Sequence, residues 1–477
     1  MHISSLPSKY GIGTFGEEAF RFVDFLCDAG QKYWQMLPLG MTGFANSPYQ
    51  SASAFAGNIF FIDLDILQSQ GYLKADDFRH IDWEQDKSRV DYAKVYANRA
   101  NVLKKAVKSF DRADPGYTAF CAQNSFWLDD FALFMAVKEH HGMLGLDKWG
   151  QGYRLRDEAL LASFSNDNRA LIDFYKITQF WFYRQMDTLK QYANNRGISV
   201  IGDIAFYVAY DSADVWAEPG LFELDENLVP KNVAGVPPDA FSDKGQLWGN
   251  PLYDYENMRK DDYEWWRRRV THCFKQCDIL RIDHFRAFDS YFAIPYSGED
   301  ATTGEWRKGE GMRFIDSLCL TDMNIIVEDL GDLGESVREL VKKTGLPNMK
   351  ILQFAFDSGP DNEFLPRNYN NNCVVYTGTH DNNTIKGWYK TLSLKEKAAF
   401  LRYVPSGIFI KKSKALIRYA QQSAADIAVI PMQDYLDLGE SARMNMPSTI
   451  KDNWEWRAAP EEISPKVSKY IRAMSRS

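Results

Sequence analysis

The chain has 477 residues, 45% hydrophobic and 25% charged, an ordinary globular composition that allows a large core and, as a prior, roughly two to three domains. A formal net charge of −8 argues against a nucleic-acid or anionic-membrane surface and is compatible with an uncharged substrate. Thirty-one Phe, 25 Tyr and 13 Trp fill a core and leave rings over for a pocket that stacks on flat apolar ligand faces.

In chain order, MHISSLPSKYGIG opens with a few strand-like residues before a Ser/Pro/Gly loop, a stub of a first strand expected to begin upstream of Met1. EEAFRFVDFLCDAG has helical apolar spacing and a terminal Gly. YWQMLPLG (33–40), SVIGDIAFYVA (199–209), DILRIDHF (278–285), NIIVEDL (324–330), MKILQFAF (349–356), CVVYTGT (373–379) and IAVIPMQDYL (427–436) read as strands buried on both faces. Helical stretches lie between most of them, and such alternation implies a parallel sheet. With the stub at 1–7 the strands number eight, so the predicted fold is α/β, a (β/α)8 barrel forming one catalytic unit over 1–477.

Such a barrel needs about 250 residues. The surplus falls in two insertions, at about 41–197 (mostly helical) and 210–277. The second holds AGVPPDAFSDKGQLWGNPLYDYE, read as a Gly/Pro-rich loop with Phe241, Trp248 and Tyr253 that walls a pocket. Six scattered cysteines show no disulfide spacing. Cys273 and Cys277 beside His272 read as a helix face rather than a metal site, because no second ligand pair has zinc spacing. No signal peptide or run of about 20 apolar residues is present, so the expected location is the cytoplasm.

Three strand ends carry acids. Arg281 and Asp283 share one face of their strand, and Arg281 is expected to keep Asp283 ionised by lowering its pKa. An ionised carboxylate so placed is a nucleophile toward an anomeric carbon, although the pair alone also reads as a structural ion pair. Glu328 fits a general acid with a raised pKa, while its neighbour Asp329 points to the other face. His380 and Asp381 can clamp sugar hydroxyls around an oxocarbenium-like transition state, and Asp203 ends a further strand.

RIDHFR, VEDLG and THDN, in this order, resemble the catalytic strands of the α-amylase clan, and in detail glycoside hydrolase family 77, the 4-α-glucanotransferases. ISSLPSKYGIG, NSPYQSASAFAGN, GDIAFYVAYDSADVWAEP, AGVPPDAFSDKGQLWGNPLYDYE and RMNMPSTIKDNWEWR carry the likeness from residue 3 to residue 457. The resemblance implies Asp283 as nucleophile, Glu328 as acid/base and Asp381 as transition-state stabiliser. It implies that Tyr49, Asp203, Arg281, His284 and His380 line the subsite of the attacked glucose, and that Gln246, Trp248 and Asn250 belong to an acceptor-side lid. Donor and acceptor would be maltooligosaccharides or other α-1,4-glucans, with no cofactor or metal. The chain departs from the family in its short first strand, and it resembles the compact bacterial type. An α-1,4-glucan hydrolase and a non-catalytic glucan-binding protein are the alternative readings.

Overall fold

The computed structural model describes residues 1–238, 242–331, 333–405 and 410–475. Its strands, in chain order, are β1 (Tyr33–Gln35), β2 (Ser199–Ile204), β3 (Asn232–Val236), β4 (Gln246–Pro251), β5 (Ile279–Ile282), β6 (Ser290–Pro295), β7 (Glu305–Lys308), β8 (Ile325–Val327), β9 (Asn348–Ile351), β10 (Cys373–Tyr376) and β11 (Ile427–Val429). Seven of them form one parallel sheet in the order β1-β2-β5-β8-β9-β10-β11. The sheet curls into a barrel: Tyr376 on β10 donates across its interior to Gln35 on β1, at 3.0 Å.

Alternation along the strands separates the two sides. Ile201, Ile326, Met349, Ile351, Val374 and Tyr376 form the inner cluster, whereas Val200, Leu280, Ile282, Ile325, Val327 and Val375 join the large core shared with the helices. Both sides are apolar, which is why the strands read as continuous hydrophobic runs.

The segment read as a first strand is not one. Ile3–Ser5 is a single 3-10 turn closed by Leu6 N–H to Ile3 O at 3.1 Å, and Pro7 follows. Within the described residues the parallel sheet therefore has seven strands rather than eight.

The stretch read as a Gly/Pro-rich loop at 234–256 also differs. It contains the end of β3 and all of β4, which belong to a four-stranded antiparallel sheet in the order β4-β3-β6-β7. Its other two strands come from the connection that follows β5. Phe241 lies outside the described residues.

The segment between β1 and β2 holds the helices Tyr92–Lys108, Pro115–Gln123, Ser125–His140, Glu158–Asp167 and Arg169–Asn195. The last of these grips the loop that carries Tyr49. Gln179 accepts from Gly57 N–H at 2.7 Å and donates to Gly57 O at 2.8 Å. A Cβ at Gly57 would come within 2.1 Å of the Phe182 ring, so only glycine permits this approach. Among the described residues, no helix is long and apolar enough to cross a membrane.

Candidate active site

β2, β5 and β8 are neighbours, and their register brings the chemistry-bearing residues side by side. Asp203 on β2 is the lateral partner of Arg281 on β5. Leu280, Arg281 and Ile282 pair with Ile325, Ile326 and Val327 of β8, so one step further Asp283 stands beside Glu328. Ladder bonds continue past both strand ends: Asp283 N–H to Ile204 O, Glu328 N–H to Ile282 O and Phe285 N–H to Glu328 O, each 3.0 Å. Adjacent parallel strands are about 4.8 Å apart, so the two carboxyl groups leave the barrel rim as immediate neighbours.

Arg281 is the hub. Its Nη1 donates to both Asp203 oxygens at 2.8 Å and its Nη2 to Asp283 Oδ1 at 2.9 Å. The Arg281 and Asp203 side chains are 4% and 0% exposed, while Asp283 is 29% exposed and keeps a face for a ligand. The Tyr49 hydroxyl donates to Asp203 Oδ2 at 2.8 Å. Tyr49 in turn stacks on His380, with ring centres 5.0 Å apart and planes at 18°, and Trp454 packs against both.

Glu328 is held by backbone. Its Oε2 accepts the His284 N–H at 2.7 Å and its Oε1 the Leu330 N–H at 2.8 Å. His284 supplies that N–H from a left-handed turn, φ 54°, which His tolerates better than a β-branched residue would. Burial pushes Glu328 up to about 7, with the charge of Asp283 adding to the rise. Arg281 and the two N–H groups oppose it. Asp283 is also raised, chiefly by burial, with Arg281 as the largest opposing influence. The expectation of a lowered Asp283 pKa is thus corrected: the guanidinium counters desolvation without overcoming it. Between the two carboxyls, Glu328 keeps its proton to near neutral pH. Burial pushes His284 down to about 3, so its ring is neutral.

Asp381 sits in the loop after β10. His380 Nε2 lies 3.4 Å from Asp381 Oδ2, and Asn445 Nδ2 donates to Asp381 Oδ1 at 2.6 Å. Arg443 donates to the Asp381 carbonyl at 2.5 Å and to the Asn445 carbonyl at 2.7 Å. Asn445 and Arg443 carry no motif by themselves. Only the quoted segment RMNMPSTIKDNWEWR pointed toward them.

The residues expected to form an acceptor-side lid, Gln246, Trp248 and Asn250, lie on β4. Trp248 Nε1 donates to Gln246 Oε1 at 3.1 Å, and the Trp248 ring meets His284 edge to face at 4.9 Å. Asn250 is buried and uses its amide within the protein, donating to Val208 O at 2.7 Å and accepting from Gln50 Nε2 at 3.0 Å. Gln50 is a further residue that spacing alone did not reveal. Asp329 faces away, as expected, accepting from Asn348 and Met349 on β9. His272 bonds Tyr183 at 2.6 Å, and among the described residues no group of three or more His, Cys, Asp or Glu could hold a metal ion.

A neutral acid beside a carboxylate, a guanidinium behind it and a third carboxylate across from it can protonate a leaving oxygen and attack an anomeric carbon. The family model described as 4-alpha-glucanotransferase, glycoside hydrolase 77, matches residues 1–462. A 4-alpha-glucanotransferase of Clostridium butyricum is 44% identical over 100% of this chain and 99% of its own length. One from Thermus thermophilus is 43% identical, over 100% and 97%. The solved amylomaltase of Streptococcus agalactiae in complex with acarbose superposes with a TM-score of 0.97 at 40% identity, covering 99% of this chain and 97% of that one. This chain belongs to glycoside hydrolase family 77, the 4-alpha-glucanotransferases.

Proposed function

We propose that the chain transfers α-1,4-glucan segments to the 4-hydroxyl of glucose or of another α-1,4-glucan by a retaining double displacement. Asp283 attacks C1 of a bound glucosyl unit while Glu328 gives its proton to the departing glycosidic oxygen. A covalent glycosyl ester on Asp283 results, and Glu328 is left ionised. Glu328 then takes the proton of the incoming 4-hydroxyl, whose oxygen displaces Asp283 and closes a new α-1,4 bond. Two inversions restore the α configuration.

The observation that carries this reading is the lateral placement of Asp283 beside Glu328 on adjacent strands. Retaining enzymes need carboxyl groups about 5–5.5 Å apart, close to the spacing of parallel strands. The unequal surroundings supply the roles: Arg281 supports a charged Asp283, and burial keeps Glu328 protonated to about 7. Asp381, braced by Asn445 and beside His380, is placed to stabilise the oxocarbenium-like sugar. Tyr49, Asp203, Arg281, His284 and His380 line the subsite of the attacked glucose, and Gln246, Trp248 and Asn250 the acceptor side. The insertions at about 41–197 and 210–277 frame this pocket. Six scattered cysteines with no disulfide spacing favour a reducing compartment, the cytoplasm.

Incubation with maltotriose tests the reading. A ladder of longer oligomers with glucose is expected. Glucose and maltose alone, with reducing ends rising steadily, would instead identify a hydrolase.

A further inference from the structure

Tyr49 and Gln50 are consecutive, yet they serve two different walls of the pocket. Tyr49 bonds Asp203 and so belongs to the network that ends on Asp283. Gln50 Nε2 reaches the other way, to Asn250 Oδ1 at 3.0 Å and toward the Trp248 carbonyl at 3.5 Å. Asn250 is fixed in turn to Val208 O, just beyond β2. Asn250 thus ties β4 both to the segment that follows β2 and to the loop of Tyr49. Trp248, two residues before Asn250, packs its ring on His284, the residue after Asp283.

We infer that Gln50 is a positioning residue that sets the partition of the glycosyl ester between sugar and water, by fixing Trp248 over the acceptor side. This role rests on the transferase reading above. The primary amide is the right group for it: it donates to the side-chain oxygen Oδ1 of Asn250, whose Nδ2 donates to Val208 O. Without that donor, β4 keeps its backbone ladder to β3 but loses its tie to the loop 47–51. Trp248 then covers the ester less of the time. Attack by a bound sugar suffers and attack by water gains, while ester formation, which depends on Asp283 and Glu328, does not.

The test uses the full chain with α-maltotriosyl fluoride as donor and glucose as acceptor. Fluoride release reports the first step, and the ratio of transfer products to free maltotriose reports the partition. Gln50→Ala and the isosteric Gln50→Glu both remove the donor. Each is expected to raise the KM for glucose and the hydrolysed fraction by about 3- to 10-fold, the effect of one lost hydrogen bond, with fluoride release changed less than about 2-fold. Gln50→Glu preserves volume, so a matching effect in both variants excludes simple loss of packing. An unchanged partition in either variant overturns the inference, as does fluoride release that falls in step with transfer. A wild-type enzyme that only hydrolyses overturns the transferase reading itself, and this role with it.

Discussion

Glu328 Oε2 accepts a hydrogen bond from the His284 N–H at 2.7 Å, and that N–H belongs to the peptide unit immediately following Asp283. The two carboxyl groups are therefore joined through backbone, and neither can shift along the barrel axis without the other. Their pairing rests on the register of β5 and β8, and this bond to the Glu328 side chain reinforces it.

Replacing Glu328 with Gln removes the proposed proton donor and keeps one amide oxygen, an acceptor for only one of the two N–H groups. Turnover of maltotriose should fall by about 10²–10⁴-fold. A glycosyl fluoride needs no protonation to leave, so the first step measured with α-maltotriosyl fluoride should retain most of its rate. A comparable loss on both donors would remove Glu328 as the acid.

Glu328 is pushed up to about 7 by burial and by the charge of Asp283. Bond cleavage needs its proton, so kcat/KM should fall about tenfold per unit above pH 7, and fall again in acid as the nucleophile Asp283 becomes protonated. The same shift bears on stability. The folded-state value lies above the ordinary 4.5, so this contribution is complete below about 4.5 and is lost as pH rises through about 7. Glu328→Gln cannot ionise. By about pH 8 it should gain on the order of 3 kcal/mol relative to the wild type, compared with about pH 5, in denaturant titrations.

Asp203→Asn leaves the buried Arg281 guanidinium with Asp283 as its remaining carboxylate partner among the bonds described. Breaking a buried pair by removing one member costs about 3–5 kcal/mol, which chemical denaturation would register. Activity should fall as well, because Arg281 is no longer held behind Asp283. A variant as stable as the wild type would mean that the Arg281–Asp203 contact is not a tight buried pair.

Asn445→Ala frees one oxygen of Asp381, now held at 2.6 Å. Asp381 is proposed to act on the transition state, so kcat should drop by about 10- to 100-fold with little change in KM. Loss confined to KM would assign Asn445 to ground-state binding instead.

The parallel barrel was readable because its strands are apolar on both faces and end in acids, as DILRIDHF shows. The second sheet was not. Asn232 pairs with Pro295, more than 60 residues later, and a Gly/Pro/Asp-rich stretch such as 234–256 becomes strand only with such a partner. The opening ISS has strand-like composition, but its hydrogen bonds close locally. Asp283 with Arg281 showed a charge neighbour in the sequence but not its burial, so the direction of its pKa was misread. Gln50 and Asn445 were missed for a related reason. Their partners lie 200 and 64 positions away, and no periodicity links them.

The register that sets Asp283 beside Glu328 is written in ladder bonds, which every residue type except proline can make. Drift in the barrel's side chains can therefore retune speed or preferred glucan length without touching the handedness of the product. On the proposed double displacement, anomeric configuration is inherited with the topology for as long as Asp283 and Glu328 remain, and evolution can vary much else around them.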